Sequence, residues 1–174
     1  MLFRSERITA RGWTLTAIWQ THAHFDHIGA VAGLLRTNPK LLLALHALDS
    51  DLYDNTGGAT MWGVPMEAGP QPTVWLAAGQ ELTLGSLRFT VLFVPGHTPG
   101  HVAFFEPAAG VLFGGDVLFR GGVGRTDIPA ASHDELLHSI HSQFMVLPDA
   151  TVVYPGHGRS TTIGAERKSN PFLQ

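Results

Sequence analysis

The chain has 174 residues, of which 44% are hydrophobic and 14% charged, and this composition predicts one globular domain over residues 1–174 with a sizeable core. The formal net charge of −3 and the scatter of the 11 basic residues disfavour a nucleic-acid partner, and the absence of cysteine excludes disulfides, thiolate metal sites and a cysteine nucleophile. No apolar stretch has the length of a signal peptide or a membrane span, so we expect a cytoplasmic protein with no membrane partner.

The first third of the chain predicts two strands and a helix around a loop rich in histidine. Aromatic and β-branched residues favour a strand over Trp13–Gln20. Apolar residues at helical spacing predict a helix over Ile28–Leu35 that stops before Asn38-Pro39. A short apolar strand is expected over Leu41–Leu45, followed by one or two helical turns over Ala47–Tyr53.

A long loop and then a series of strands are predicted for the rest of the chain. Many glycine and proline residues predict a surface loop over Asn55–Pro72, in which Met61, Trp62 and Met66 are candidates to line a substrate pocket. Residues 121–124 predict a flexible loop, and Ser132 can cap a helix that ends near Met145. Strands are predicted over Thr73–Leu76, Glu81–Leu84, Arg88–Val94, Val102–Glu106, Val111–Gly114 and Thr151–Tyr154.

Three histidines and an aspartate lie within six residues directly after the first predicted strand: His22, His24, Asp26 and His27. Imidazole binds zinc or iron well, and a carboxylate adds negative charge. The close spacing lets one short loop present several ligands. This pattern favours a transition-metal site over an ordinary surface or core.

Three further donor candidates, His97, Asp116 and His157, also follow predicted strands and lie beside glycines. Strand ends at one edge of a sheet converge in space, so remote loops can build one site, and glycine keeps backbone bulk away from it. Two divalent ions would offset the charges of Asp26 and Asp116, which would otherwise repel each other.

The ordered motifs HxHxDH, PGHTxGH, GD and PGH, from about Trp13 to His157, resemble the metallo-β-lactamase superfamily. Within it, residues 115–119, residues 122–127 and the tail residues 162–172 look like the small bacterial glyoxalase II-like hydrolases. The resemblance implies an α/β fold of the four-layer αβ/βα sandwich type and two divalent metal ions, with zinc favoured over iron or manganese. It implies one metal site from His22, His24 and His97, a second from Asp26, His27 and His157, and Asp116 as the bridge.

The same resemblance implies a metal-dependent hydrolase in which a hydroxide shared by the two ions attacks a thioester. Asp26 and Asp116 would be the catalytic carboxylates, and Asp26 would orient the nucleophile. A thiolate leaving group needs no dedicated general acid, which favours a small-molecule thioester of the hydroxyacylglutathione type. The acyl group, the thiol carrier, the native metal and the oligomeric state stay open.

Two other functions are compatible with the sequence. The superfamily includes sulfur dioxygenases that act on a persulfide with one Fe(II), which here would be held by His22, His97 and Asp116. A histidine at position 101, where those enzymes tend to have cysteine, and the complete second site argue against this function. The other alternative is an inactive metal-binding module.

The resemblance also points to a difference at the N-terminus. Relatives normally begin with a strand pair several tens of residues before the metal loop, whereas 21 residues precede His22 here. We therefore expect an N-terminally truncated fold with an uncovered sheet edge, and a remnant of the first helix over Ser5–Arg11.

The remaining polar candidates are expected to play supporting roles. A hydrogen-bonding role outside the metal site is expected for His101, and His46 is expected either to support a ligand or to pack in the core. A pair between Arg125 and Asp127 could fix the loop beside Asp116, while Arg120 and Lys168 are expected to be solvated or structural rather than substrate-binding. His133, His138 and His141 are expected on the solvated face of a helix.

Overall fold

The computed structural model describes residues 7–174, which form two principal β-sheets with helices packed on their outer faces. The strands are β1 (Ala17–Trp19), β2 (Leu42–His46), β3 (Val74–Leu76), β4 (Glu81–Leu84), β5 (Leu87–Phe93), β6 (Val102–Glu106), β7 (Val111–Gly115), β8 (Leu118–Phe119), β9 (Gly122–Val123), β10 (Val152–Pro155) and β11 (Thr161–Thr162). The α-helices are α1 (Phe25–Ile28), α2 (Val31–Thr37), α3 (Ser50–Asp54), α4 (His133–Ser139) and α5 (Ile163–Ser169). Two 3-10 segments, Ala47–Asp49 and Thr56–Trp62, flank α3, and a π-helical segment, Ile140–Phe144, continues α4.

The small sheet has the order β1-β2-β3 and both of its pairings are parallel. Helices α1 and α2 cross from β1 to β2, as a parallel pair requires. The large sheet has the order β11-β10-β7-β6-β5-β4 and is antiparallel except where β10 lies parallel to β7. Strands β5, β7 and β10 therefore run in one direction, and their carboxyl ends lie at the same edge.

Three buried clusters divide the chain into four layers. One cluster, which includes Leu43 and Val31, packs the small sheet against α1 and α2. A second, which includes Val91 and Leu76, lies between the two sheets, and a third, which includes Leu136 and Phe144, packs the large sheet against α4 and α5. Along β6 the side chains alternate between these layers: Val102 and Phe104 face the small sheet, whereas Ala103 and Phe105 face the helices. The layers thus follow the predicted αβ/βα order.

Several elements differ in extent from the sequence predictions. The strand predicted over Trp13–Gln20 is paired only at Ala17–Trp19, and Trp13 is exposed with the Arg11 guanidinium over its ring. The loop predicted over Asn55–Pro72 contains the 3-10 segment, which is kinked where Gly57 and Gly58 take φ angles of 64° and 75°. The flexible loop predicted over residues 121–124 instead pairs β9 with β8. Sequence reasoning missed α5, although the Thr162 hydroxyl caps it by accepting from Ala165 N.

The outer edge of β1 has no paired strand among residues 7–174, so the expected open edge is present in the described part of the chain. Residues 7–10 are helical, and Ser5 and Glu6 of the expected first-helix remnant lie outside the described residues. Across residues 7–174, every helix is too short or too polar to cross a bilayer.

Candidate metal centre

All seven predicted donors lie in segments that follow the carboxyl ends of four strands, with Asp26 and His27 in the short helix α1 and the other five in loops. Strand β1 leads into the loop of His22 and His24 and into α1, and strands β5, β7 and β10 lead to His97, Asp116 and His157. Because β5, β7 and β10 run in one direction, their loops meet at one edge of the large sheet. The small sheet brings the β1 loop to the same place, where Val102 N donates to Thr21 O at 2.8 Å.

The first cluster consists of His22, His24 and His97, and one ligand atom from each lies within 4.8 Å of the others. His24 Nδ1 and His97 Nε2 are 2.9 Å apart. His22 is fully buried, and its Nε2 has no hydrogen-bond partner within the described residues.

The second cluster consists of Asp26, His27 and His157, again with ligand atoms within 4.8 Å of one another. His157 Nε2 lies 2.9 Å from Asp26 Oδ2 and 3.3 Å from His27 Nε2. This cluster is open to solvent, since the side chain of His157 is 58% exposed.

Asp116 lies between the clusters. Its Oδ2 is 3.7 Å from His97 Nε2, 3.5 Å from His27 Nε2 and 3.4 Å from His157 Nε2. Its Oδ1 is buried and lacks a hydrogen-bond partner within residues 7–174. One carboxylate thus contacts members of both clusters, as the predicted bridge would.

The donor set fits a pair of divalent cations. Buried polar atoms in folded proteins are nearly always hydrogen-bonded, yet His22 Nε2 and Asp116 Oδ1 are buried without a partner within residues 7–174. Five imidazoles and two carboxylates with no thiolate match the nitrogen and oxygen ligands that zinc, iron and manganese accept. Bound cations would also satisfy the two buried atoms.

The electrostatic environment favours the neutral form of the three imidazoles in the first cluster. Burial, reinforced by the neighbouring imidazoles, holds the pKa of His22 well below its usual range, and burial together with His97 lowers the pKa of His24 to about 4. Burial also lowers the pKa of His97. A neutral imidazole has the free lone pair that a metal needs.

The pKa values of Asp116 and His27 shift in the directions expected of a carboxylate and an imidazole that interact with each other. Burial alone would raise the pKa of Asp116, but the hydrogen bond with His27 and the surrounding imidazoles outweigh burial and lower it. Burial alone would lower the pKa of His27, but Asp116 and Asp26 outweigh burial and raise it.

Three glycines leave room for Asp116 and its neighbours. A Cβ atom at Gly124 would overlap the Asp116 carbonyl, and one at Gly156 would overlap the Asp116 carboxylate and the His27 ring. Gly115 has a φ of 55°, and a Cβ there would lie 2.5 Å from His101 Cε1. The glycine-rich loops are therefore required by close packing around the carboxylate.

His97 and His101 are each oriented by a main-chain group. The Nδ1 of His97 lies 2.9 Å from the Arg125 carbonyl oxygen, which directs Nε2 toward the cluster. His101 stacks on His22 with ring centroids 4.7 Å apart, and its Nε2 accepts from Asp116 N at 3.0 Å. The hydrogen-bonding role predicted for His101 is confirmed.

The side chains of the other predicted residues are not among the donors of the two clusters. His46 stacks on Phe93 and accepts a hydrogen bond from Leu48 N. Both contacts lie at the end of β2 and neither involves a donor residue, so they favour the packing role over the supporting one. The predicted pair of Arg125 and Asp127 is confirmed, with Nε–Oδ1 and Nη2–Oδ2 distances of 2.8 and 2.9 Å. The polar residues predicted to be solvated are exposed, namely Arg120, His133, His138, His141 and Lys168.

A cavity of about 550 Å³ opens beside the clusters and reaches His24, Asp26, Asp116 and His157. Met61 and Trp62 line it, as predicted, but Met66 instead packs against the apolar cluster beneath α1 and α2, so its prediction was wrong. The other apolar lining residues are Phe25, Leu52, Phe119, Val123, Ile128 and Pro129.

Sequence reasoning missed Asp49, a fully buried carboxylate behind the first cluster. It accepts hydrogen bonds from Ala23 N, the Thr98 hydroxyl and Gly100 N. Its three partners lie 26 to 51 positions away along the chain, so no local pattern signals its role.

Residues 3–157 match the model of the metallo-beta-lactamase superfamily, and the chain belongs to this superfamily. It is 38% identical over 170 residues to the hydroxyacylglutathione hydrolase GloC of Haemophilus influenzae, covering 97% of this chain and 80% of that protein. Among solved structures, it is similar to TTHA1623 in a di-iron-bound form, with a TM-score of 0.88, 44% identity and coverage of 97% of this chain and 82% of the other. It is also similar to the BLEG-1 B3 metallo-beta-lactamase, with a TM-score of 0.90, 38% identity and coverage of 97% and 81%.

These similarities confirm the expected fold class and the resemblance to hydroxyacylglutathione hydrolases. The chain spans about four fifths of the length of each of the three proteins. It is thus a member of a superfamily of metal-dependent hydrolases.

Proposed function

We propose that this chain is a binuclear metallohydrolase that cleaves small thioesters of the hydroxyacylglutathione type. The observation that carries the proposal is the pair of donor clusters joined by Asp116 at the floor of an apolar cavity. The name of the H. influenzae relative supports this substrate class, and the di-iron form of TTHA1623 supports two metal ions. Zinc is our proposed metal.

His22, His24 and His97 would bind one cation, and Asp26, His27 and His157 the other, with Asp116 shared. Two divalent ions in this arrangement supply a water molecule of lowered pKa and a Lewis acid for a substrate carbonyl. Asp26 projects from α1 into the cavity, where its carboxylate can orient the attacking water and accept its proton.

The cavity lining supports a thiolate leaving group. Apart from the proposed ligands, Arg125 is the titratable side chain among the lining residues, and its guanidinium is already paired with Asp127. The cavity therefore offers no separate general acid from the described residues. A thiolate, unlike an alkoxide or an amine, can leave without one.

The complete second cluster argues against a mononuclear centre. An Fe(II) dioxygenase would use His22, His97 and Asp116 and would leave Asp26, His27 and His157 without a role. These three residues instead have ligand atoms within 4.8 Å of one another. Their grouping favours a second ion and hydrolysis over oxygen chemistry.

The test combines metal analysis with activity on the full chain. We expect two ions per chain and release of thiol from S-lactoylglutathione without oxygen uptake. His24→Ala should lose one of the two ions and its activity, whereas His138→Ala, at an exposed histidine on α4, should behave as the wild type. One iron per chain with oxygen uptake on glutathione persulfide would support the dioxygenase. Two bound ions without cleavage of thioester, ester or lactam would support the inactive module.

A further inference from the structure

We propose that Asp49 is a positioning residue that fixes the loop of His22 and His24 relative to the loop of His97. This inference rests on the proposed metal centre and concerns the geometry of its first cluster. Asp49 ends the 3-10 segment after β2 and is fully buried, although no part of its side chain belongs to either donor cluster.

The carboxylate of Asp49 joins the two ligand loops through three hydrogen bonds. Its Oδ2 accepts from Ala23 N at 2.9 Å, and Ala23 is the residue between His22 and His24. The same oxygen accepts from the Thr98 hydroxyl at 2.8 Å, and Oδ1 accepts from Gly100 N at 2.6 Å. Thr98 directly follows His97 in the chain, so each loop is fixed within one residue of a proposed ligand.

The packing around Asp49 leaves little freedom for this arrangement. A Cβ atom at Gly100 would lie 2.5 Å from Asp49 N and 2.7 Å from Oδ1. Only glycine at this position therefore lets the loop come this close to the carboxylate. On the other side of α3, Gly57 packs directly on the backbone of Ala23 and Phe25, with a φ of 64°. The segment from Asp49 to Gly57 therefore contacts the loop of His22 and His24 at two points.

The charge of Asp49 suits this role better than a neutral side chain would. Three donors converge on one carboxylate, which has acceptors only, whereas an amide would turn an N–H₂ group toward at least one of them. Charge-assisted hydrogen bonds are also shorter and stronger than neutral ones. Ligand constellations need placement to within about 0.5 Å, and bonds of this kind supply it.

Asp49→Asn keeps the volume of the side chain and removes one acceptor, so it tests positioning with little change in packing. Glu166→Gln is the matched control, because Glu166 is also a buried carboxylate and accepts from Gly121 N and Asn170 Nδ2, both at 2.9 Å. We would measure the affinity for each of two zinc ions by chelator competition, the visible spectrum of the cobalt-substituted protein, and the melting temperature of the metal-free protein.

We expect Asp49→Asn to lower the affinity for the more tightly bound zinc ion by about 10- to 100-fold, the range typical of residues that support metal ligands. The substitution should also shift the cobalt spectrum. Glu166→Gln should lower the melting temperature and leave zinc affinity and the cobalt spectrum unchanged. If Asp49→Asn lowers only the melting temperature, as the control does, Asp49 is merely structural and the inference is overturned.

Thr98 provides a second route if Asp49→Asn fails to fold. Thr98→Val removes one of the three donors at nearly constant volume, and Thr98→Ser restores the hydroxyl. We expect weaker zinc binding in the valine variant and recovery in the serine variant, and equal affinities in both would count against the inference. A wild-type chain that binds no metal would overturn the proposed centre itself, whereas bound metal without thioester cleavage would overturn the proposed substrate alone.

Discussion

The two donor clusters have similar side chains but very different surroundings. The first cluster, His22, His24 and His97, lies mostly beneath the surface, with His22 fully buried and His97 3% exposed. The second cluster includes Asp26 and His157, whose side chains are 39% and 58% exposed. The two donor clusters therefore differ in burial, which the sequence motifs do not reveal.

The difference extends to the bonds that support each cluster. In the first cluster, His97 is oriented by the Arg125 carbonyl, and both loops that carry the donors are hydrogen-bonded to Asp49. In the second, the polar contacts of His157 run to other members of the centre, namely His27, Asp26 and Asp116. A ligand set fixed by outside bonds is prepared before metal arrives, so we expect the first cluster to bind more tightly and the second to face the substrate.

The largest expected effect comes from the residue that the clusters share. Asp116→Asn removes a carboxylate charge beside His27, His97 and His157, so both proposed sites lose a ligand. We expect metal content to fall from two ions to one or fewer and kcat/KM for thioester hydrolysis to fall at least about 10³-fold. Mass spectrometry of metal content and a thiol-release assay measure these changes.

Asp134→Asn, in the exposed first turn of α4, is the matched control and should behave as the wild type. Two tightly bound ions in Asp116→Asn would show that the carboxylate does not bridge the clusters.

The next effect separates the clusters from each other. His157→Ala should leave one ion, bound in the buried first cluster, that resists dialysis against a chelator. His24→Ala should leave only the exposed site, from which we expect chelators to remove the ion about 10- to 100-fold more readily. Metal content after dialysis against a series of chelator concentrations measures both variants. The reverse order of retention would show that burial does not determine affinity here.

Much of this centre is predictable from the sequence because its donors lie in short motifs. His22, His24, Asp26 and His27 occupy six positions, and His97, Asp116 and His157 each follow a strand and adjoin glycine. Local patterns of this kind can be recognised from the sequence without knowledge of the fold. The strand order is less accessible, because the parallel pairing of β10 with β7 joins segments about 40 residues apart.

The parts that sequence reasoning missed depend on contacts between distant residues. Asp49 lies in a helical turn like many others, and only the fold shows that its carboxylate meets Ala23 and Gly100. Met66 was assigned to the pocket by its place in a loop, but it is partly buried and packs against the core. In both cases the local sequence leaves open which way the side chain points.

The smallest effect concerns the pH dependence of the metal-free chain. The pKa values of His22, His24, His97 and His101 are all lowered, burial being the largest cause of each shift. The unfolded chain therefore binds more protons than the folded chain as the pH falls below about 6.5, the ordinary histidine pKa. Stability is retained above that pH and is lost on acidification, and for His24 the loss continues down to its folded pKa of about 4.

His27 acts in the opposite sense, because its raised pKa gives stability that is present at low pH and is lost as the pH rises through the folded pKa. Five histidine pKa values are lowered, that of His46 included, while the raised pKa values of His27 and Asp49 act in the opposite sense, and the balance predicts a net fall in melting temperature between about pH 6.5 and pH 4. His24→Ala should reduce this fall in melting temperature by a few degrees at most, since His24 is partly exposed and solvent screens its contribution to the pH dependence. Melting curves in chelator at several pH values test this, and His138→Ala should match the wild-type slope. A melting temperature that rises on acidification would mean that the imidazoles of the first cluster are charged in the folded chain, and the buried cluster would then lack the neutral ligands that distinguish it from the exposed one.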